Sequence, residues 1–512
     1  MHGCPDLEGF NFISLKIRLV AFFKTHYPGG SSVMRDRPVN QLILMTDEHT
    51  RKVLGCYGNK IVKTPHIDRL AREGTLFENA YTNVPICVPA RASFATGDYA
   101  HRSHHWDNAT PYLGTPNSWG KELQKAGITV GSIGKLHYRN SDDDVGLDFQ
   151  KIPMHVVNGT GDVLGCVREP LPKRWKSLSM AEKIGPGETD YNIYDRQVAT
   201  EAIEWLATNG KQKKPWVLFV SMVAPHFPLI APQEFYDVYD TLDLMPTKPR
   251  ESPEHPWHHA MRNCQIMDNF TQERTRVALA SYYGLVTFID NLIGKILRTV
   301  EQNNLGDNTQ IFYLSDHGDN IGERDFWGKS NFYEESVGIP CIVKGPGIPV
   351  GKTSKTPVSL VDVYPTILKT AGITPEAKPG KSLVDLANAV DDFERLVFSE
   401  YHAVGSATGA FMIRKGQWKL IYYVSMQPQL FNLADDPEEL CDLGVDPKHE
   451  DIRRQLEAEL RSICDPEAVD AMAKAEQVAI INANGGIEAV VAKGGFGATP
   501  PPGVNAEFAN EK

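Results

Sequence analysis

Four short runs frame the chain: "QLILMT" (41–46), "ITVGSI" (128–133), "WVLFVSM" (216–222) and "QIFYLS" (310–315). Each is nearly continuously apolar, without the in-and-out alternation of a half-exposed strand, which predicts strands buried on both faces of a mostly parallel sheet. The segments between them carry helical spacing. Thr64-Pro65 opens "HIDRLAREG", with Gly74 as its stop, and Ser118 opens "WGKELQKAG", ending at Gly127. Longer amphipathic helices are predicted over about 191–208 and 274–301, and another over "SLVDVYPTILKTAG" (359–372). After about 390 the texture changes to short strands separated by turn residues, "RLVFSEY", "GAFMIRKGQWKLIYY" and "PQLFNLADDPEE", which predicts a smaller antiparallel domain. The expected organisation is an N-terminal extension (1–37), a catalytic α/β domain (38–390), a small antiparallel domain (391–464), and a C-terminal helix with a Gly/Pro-rich tail (465–512). That tail is expected to lie extended on a surface or to be disordered.

The polar residues gain meaning from where the apolar runs stop. Asp47 and Glu48 follow the first run, Lys135 and His137 the second, His226 the third, and Asp316 with His317 the fourth. In open α/β sheets ligands bind at the carboxyl ends of the strands. Acids, imidazoles and a lysine delivered to one such edge describe an anionic substrate held beside a metal. Carboxylates with one imidazole favour a hard divalent cation over a thiolate-bound zinc.

Composition narrows the classes. The chain has 512 residues, a net charge of -11 and no long Lys/Arg run, which argues against nucleic acid as a partner. Its eight cysteines show no C-x-x-C spacing and are expected to be reduced, individually placed thiols. No uninterrupted apolar stretch of about 18 residues is present to cross a bilayer. The start, "FNFISLKIRLVAFF", is broken by Lys16 and Arg18 and has no small-residue cleavage site, so it is not read as a signal peptide. A cytoplasmic protein is expected, with Met34 as an alternative start.

One cysteine stands apart. "VPICVPARASFATG" (84–97) puts Cys87 at the head of a short predicted helix, with Pro89 near its start, Gly97 just past its end and Arg91 on the same face. A buried small hydrophobe is one reading of Cys87, and a thiolate nucleophile with its pKa lowered by helix and arginine is another. Lys135 and Lys329 have the alternative reading of solvated surface lysines. His101, His104, His105, His258 and His259 match no ligand spacing and read as loop histidines, some of them at a substrate entrance. Asp319, Glu323 and Arg324 are expected to organise the loop after Asp316.

With these residues in view, the sequence resembles the type I sulfatases of the alkaline phosphatase superfamily. Cys87, Pro89 and Arg91 match the C-x-P-x-R signal by which that family converts cysteine to formylglycine. "ILMTDEH", "TGDYAHR", "GKLH", "APHFP", "LSDHGDNIGERDFWGKSNFYEESVGIP" and "QLFNLADDPEE" follow in the family's order over roughly 39–445. The resemblance implies an alkaline-phosphatase-like fold: a large, mixed, mostly parallel sheet flanked by helices, with a smaller C-terminal antiparallel α+β domain. It implies a divalent metal, most often calcium with manganese or magnesium as alternatives, held by Asp47, Glu48, Asp316, His317 and the modified Cys87. Arg91, Lys135, His137, His226 and Lys329 would surround the sulfate, with Asn108 in "HHWDNA" as a further contact. Glu48 departs from the family's usual Asp or Gln, and His317 stands where many members carry Asn.

The implied chemistry is attack on sulfur by a hydroxyl of hydrated formylglycine, with His226 as acid for the leaving oxygen and His137 as the base that frees sulfate. The expected substrate is a small-molecule sulfate monoester, aryl or small alkyl. The alternative is a phosphonate or phosphate ester hydrolase using the same site. A formylglycine-generating enzyme is the expected partner in maturation, and a tail that contacts a neighbouring subunit would make the protein a homo-oligomer. The motifs look closest to choline-sulfatase-like members, and specificity is expected in 151–190, 240–265 and the tail.

Overall fold

The four apolar runs become four adjacent parallel strands because their side chains alternate between two separate cores. In Asn40–Asp47, Leu42 and Leu44 enter one hydrophobic cluster while Ile43 and Met45 enter the other, all with no exposed surface. Each such aliphatic side chain contributes about 2 kcal/mol of transfer free energy. The computed structural model describes residues 39–508; the readings above for the N-terminal extension and the start at Met34 lie outside the described residues.

The main sheet has eight strands in the spatial order Lys352–Ser354, Thr75–Phe77, Cys341–Lys344, Thr309–Ser315, Asn40–Asp47, Trp216–Pro225, Thr129–Lys135 and Phe149–Met154. Among these only Cys341–Lys344 runs against the rest. The register sets Leu42 beside Leu218 on one side and Ile311 on the other. Helices Pro65–Arg72, Asp190–Asn209 and Gln272–Gln302 cover one face, and Cys87–Thr96, Trp119–Lys125 and Val363–Thr370 the other. Gln272–Gln302 is long and apolar enough to cross a membrane by composition, yet 83% of its most apolar window is buried inside the protein, as a core helix requires.

The predicted helix over 359–372 begins differently from the pattern. Leu360–Asp362 is a 3-10 turn whose start is closed by reciprocal bonds between Ser359 and Asp362, and the α-helix proper is Val363–Thr370. Ser118 does cap its helix, accepting from the Lys121 amide at 3.1 Å. Thr64 does not: its hydroxyl bonds Asp68, and Pro65 at the first helical position sets the start.

A second, four-stranded antiparallel sheet follows in simple up-down order: Val397–Tyr401, Ala410–Lys415, Trp418–Tyr423 and Gln429–Asn432. Alternation is visible here because the two faces meet different partners. Phe411, Ile413 and Leu420 pack under helices Glu450–Ile463 and Pro466–Ala483. Met412 and Ile421 face Tyr81, Val84 and Ile86, the residues that lead into Cys87. The described residues, 39–508, gather into one compact unit. The seven cysteines of the described residues are all free thiols.

Candidate active site

The helix Cys87–Thr96 is buried along all ten residues, with Cys87 as its first. Its start is fixed from outside, because Asn108 Oδ1 accepts the Val88 amide N–H at 3.1 Å. Gly97 ends it at φ +67, where a Cβ would lie 2.4 Å from the Tyr364 ring, so only glycine closes this turn.

Around Cys87 the strand ends converge. Asp47, Cys87, Asp316 and His317 place one ligand atom each within 4.8 Å of one another, all buried. Cys87 Sγ lies 3.1 Å from His317 Nε2 and 3.6 Å from Asp47 Oδ1. His317 Nδ1 faces the Gly318 carbonyl at 3.0 Å; a carbonyl only accepts, so Nδ1 carries the proton and Nε2 turns its lone pair to the cluster. The two carboxylates are divided by function. Arg91 donates to Oδ2 of both Asp47 (3.0 Å) and Asp316 (2.8 Å), and Lys135 Nζ holds Asp47 Oδ2 at 2.6 Å. The Oδ1 atoms, each 3.7 Å from His317 Nε2, are left toward the centre. Burial alone would raise the Asp47 carboxyl, but the Lys135 ammonium and the Arg91 guanidinium hold it well below the usual carboxylate range. Two carboxylate oxygens and an imidazole lone pair, backed by a completed outer layer of donors, fit a divalent metal.

Glu48 is not brought into that group. Its backbone sits at φ +67, and its side chain turns to a second group, Asp47, Glu48 and His226. Glu48 Oε2 accepts from Lys329 Nζ at 2.9 Å, while Oε1 is buried without a partner. The extra methylene of glutamate and the positive φ carry the carboxylate past the cluster to the Lys329 ammonium. Burial pushes this carboxyl up to about 8 despite Lys329.

Above these groups lies a cleft of about 390 Å³ whose floor includes Glu48, Cys87, Asn108, His137, His226 and Lys329. Arg91 and Lys135, each 1% exposed, sit beneath this floor, occupied by the carboxylates they position. His226 Nδ1 donates to the Phe227 carbonyl at 2.7 Å, so its Nε2 accepts from Lys329 Nζ at 2.8 Å. His137, held at φ +56, has both ring nitrogens buried without a partner. Burial, then Lys329 and Lys135, pull His226 well below 6.5; burial, Lys135 and Arg91 do the same to His137. Both imidazoles are therefore neutral at neutral pH. The kcat/KM profile is expected to show no break near the ordinary histidine value of about 6.5. In Lys329→Met, loss of the adjacent cation should move the His226 titration back toward that value, read from its imidazole NMR signal. An unmoved signal would refute the coupling.

Several expectations change. The thiolate reading of Cys87 is not supported: burial and the Asp47 carboxylate push its thiol up to about 12, outweighing Lys329 and Lys135. None of His101, His104, His105, His258 and His259 lines the cleft; their ring nitrogens bond Glu400, Glu476, the Thr110 carbonyl, Glu251 and Glu254 respectively. Of the stretch 240–265, only Gln265 reaches the cleft, while Val156, Asp162, Arg174 and Met180 reach it from 151–190. Asp319 braces its own loop, accepting from the Ile321 and Gly328 amides. Residues 494–499 of the C-terminal tail also line the cleft.

Comparison with known proteins agrees with this geometry. A family model described as Sulfatase matches residues 40–373, and one described as N-sulphoglucosamine sulphohydrolase, C-terminal, matches 322–465. A choline-sulfatase of Rhizobium meliloti (strain 1021) is 31% identical over 427 residues, covering 80% of this chain and 83% of its own. Arylsulfatase K of Danio rerio is 29% identical over 459 residues, covering 84% of each. Among solved structures, a phosphonate monoester hydrolase of Agrobacterium radiobacter superposes with a TM-score of 0.68 at 21% identity, over 85% of this chain and 96% of its own. A structure described as a 2-O GAG sulfatase gives 0.67 at 21% identity, over 85% and 96%. At such identities these structures establish the fold alone.

Proposed function

The chain belongs to the type I sulfatase family, and from that premise we propose that its cleft hydrolyses an aryl or small alkyl sulfate monoester with formylglycine made from Cys87. It is a sulfatase, a sulfuric ester hydrolase. The observation that carries the reading is the placement of Cys87 at the head of a buried helix, within one cluster of Asp47, Asp316 and His317 and on the floor of the cleft.

Asp47, Asp316, His317 and the oxygen of a modified residue 87 would hold the divalent metal, for which the two carboxylates suit calcium, with manganese or magnesium as alternatives. The aldehyde hydrate would supply an oxygen nucleophile for sulfur, and the metal the positive charge that favours its deprotonated form. The chain's own residues do the rest. Arg91 fixes both carboxylates so that their Oδ1 atoms face inward. Lys329, with an ammonium on the cleft floor, stabilises negative charge on the transferring group. His226 Nε2 accepts from the Lys329 ammonium at 2.8 Å and carries no proton of its own, so His226 would act as acid for the leaving oxygen only in its protonated form, while Lys329 keeps its charge. His137, neutral and with both nitrogens unpartnered, is free to accept the proton whose loss releases sulfate.

The choline-sulfatase and arylsulfatase K relatives support sulfate as the group transferred. A hydrolysis panel of nitrophenyl sulfate, choline sulfate, a sugar sulfate and a phosphonate monoester, with calcium or manganese added, tests the reading. One of the sulfate esters should exceed the phosphonate in kcat/KM by about 100-fold, roughly 2.7 kcal/mol of transition-state preference. A phosphonate turned over faster than every sulfate ester would replace the reading by its alternative.

A further inference from the structure

The C-terminal tail lines the cleft. After helix Gly486–Lys493 the chain turns at Gly494 (φ +74) and Gly497 (φ +78), and residues 494–499 share the cleft with Cys87 and Lys329. Three independent contacts hold this course. The Tyr191 hydroxyl donates to the Thr499 carbonyl, and its ring stands edge-on to His226 at 6.1 Å, which ties the tail to the catalytic floor. Ala498 packs against the main hydrophobic core. Farther along, the chain returns so that Phe508 meets the Phe496 ring at 5.4 Å and the Lys493 ammonium at 4.5 Å.

The facing side of the cleft is also braced. Trp327 stacks on Phe270 at 4.2 Å with an interplanar angle of 14°. Arg174 is held by Asp162 at 2.9 Å and lies so close to the tail that a Cβ at Gly495 would stand 3.2 Å from its Nη2. The tail, the 162–174 segment and Trp327 therefore enclose about 390 Å³, at the small end of ligand sites, which run from about 300 to 1,000 Å³. An ester bond inside a polymer needs an open groove with an exit at each end. This cleft of about 390 Å³, with Phe227, Trp327 and Phe496 among its lining residues, has room for a compact group beside Cys87 and is walled on one side by the tail.

We propose that residues 494–499 form a specificity-determining wall that restricts the leaving group to a compact, one-ring-sized alcohol or phenol and excludes sulfate esters within a saccharide chain. The inference rests on the sulfatase reading above and adds the substrate's size class to it. Phe496 forms the apolar face of the wall, and Tyr191 is a positioning residue that holds it.

The test compares nitrophenyl sulfate with an internally sulfated tetrasaccharide in three proteins: the full chain, a chain ending at Lys493, and the full chain with Phe496→Ala. In the full chain the tetrasaccharide should be nearly inert. Ending at Lys493 should raise the ratio of kcat/KM for tetrasaccharide over nitrophenyl sulfate by about tenfold or more, with a higher KM for the small ester. Phe496→Ala, which keeps the tail and its anchor, should shift the ratio in the same direction by about threefold. A purely structural tail would lower both activities together and leave the ratio fixed, and that result in both variants overturns the wall. Full-chain turnover of the tetrasaccharide as fast as of the small ester overturns it as well. Absence of sulfate release from every ester by every protein would remove the sulfatase reading, and this inference with it.

Discussion

Cys87→Ala is expected to lower kcat/KM for an aryl sulfate by roughly 10⁵-fold, the loss typical when a covalent nucleophile is removed. Stability should fall by only about 1 kcal/mol, because one sulfur leaves a site that is already closely packed. The size of the kinetic effect follows from how little else can attack. The unmodified thiol, pushed up to about 12, is overwhelmingly protonated at neutral pH, and among the described residues Cys87 is the one cysteine in the group with Asp47, Asp316 and His317. Mass spectrometry of the peptide spanning 84–97 from wild-type protein should show loss of the thiol mass at residue 87. Retention of more than about one-hundredth of wild-type kcat/KM in Cys87→Ala would defeat the assignment of this residue as nucleophile precursor.

Asp47→Asn should abolish stoichiometric divalent-metal binding and cost about 3–5 kcal/mol of stability. The side chain is fully buried and answers to three groups at once: Arg91 at 3.0 Å, Lys135 at 2.6 Å and the metal cluster through Oδ1. Replacing its charge leaves Lys135, 1% exposed, without the carboxylate it contacts. Arg91 keeps Asp316, so the helix Cys87–Thr96 should remain in place. Metal content by elemental analysis and the denaturation midpoint would be read together. One equivalent of metal bound at wild-type stability would refute the placement of Asp47 in the site.

Much of this was legible along the chain, for a local reason. A strand buried on both faces must be apolar throughout, so the sheet's central strands announced themselves, and the first polar residue after each marked the ligand-binding edge. Cys87, Pro89, Arg91 and Gly97 could be read as a helix start and stop because both are local backbone demands. Three features could not. Nothing in "TDEH" indicates that Glu48 sits at φ +67 and pairs with Lys329, 281 residues away. Arg91 looks like a substrate contact until Asp47 and Asp316 are seen to take up its guanidinium. The histidine clusters look chemical only while their acceptors, such as Glu400 and Glu476, are out of view.

The sequence by itself determined the fold class, the edge of the sheet where chemistry occurs and the residue at its centre, because hydrophobic period and short motifs act over a few neighbouring positions. Tertiary structure alone decided which charges remain free. Asp47 turns one oxygen to two cations and the other to the cluster, Glu48 is drawn to Lys329, and a tail nearly 400 residues downstream of Asn108 forms the wall beside it. Buried charges find whatever counter-charge the packing brings within about 3 Å, and a cleft is bounded by whichever segment the core leaves at its rim. Both outcomes depend on long-range proximity, which no local pattern encodes.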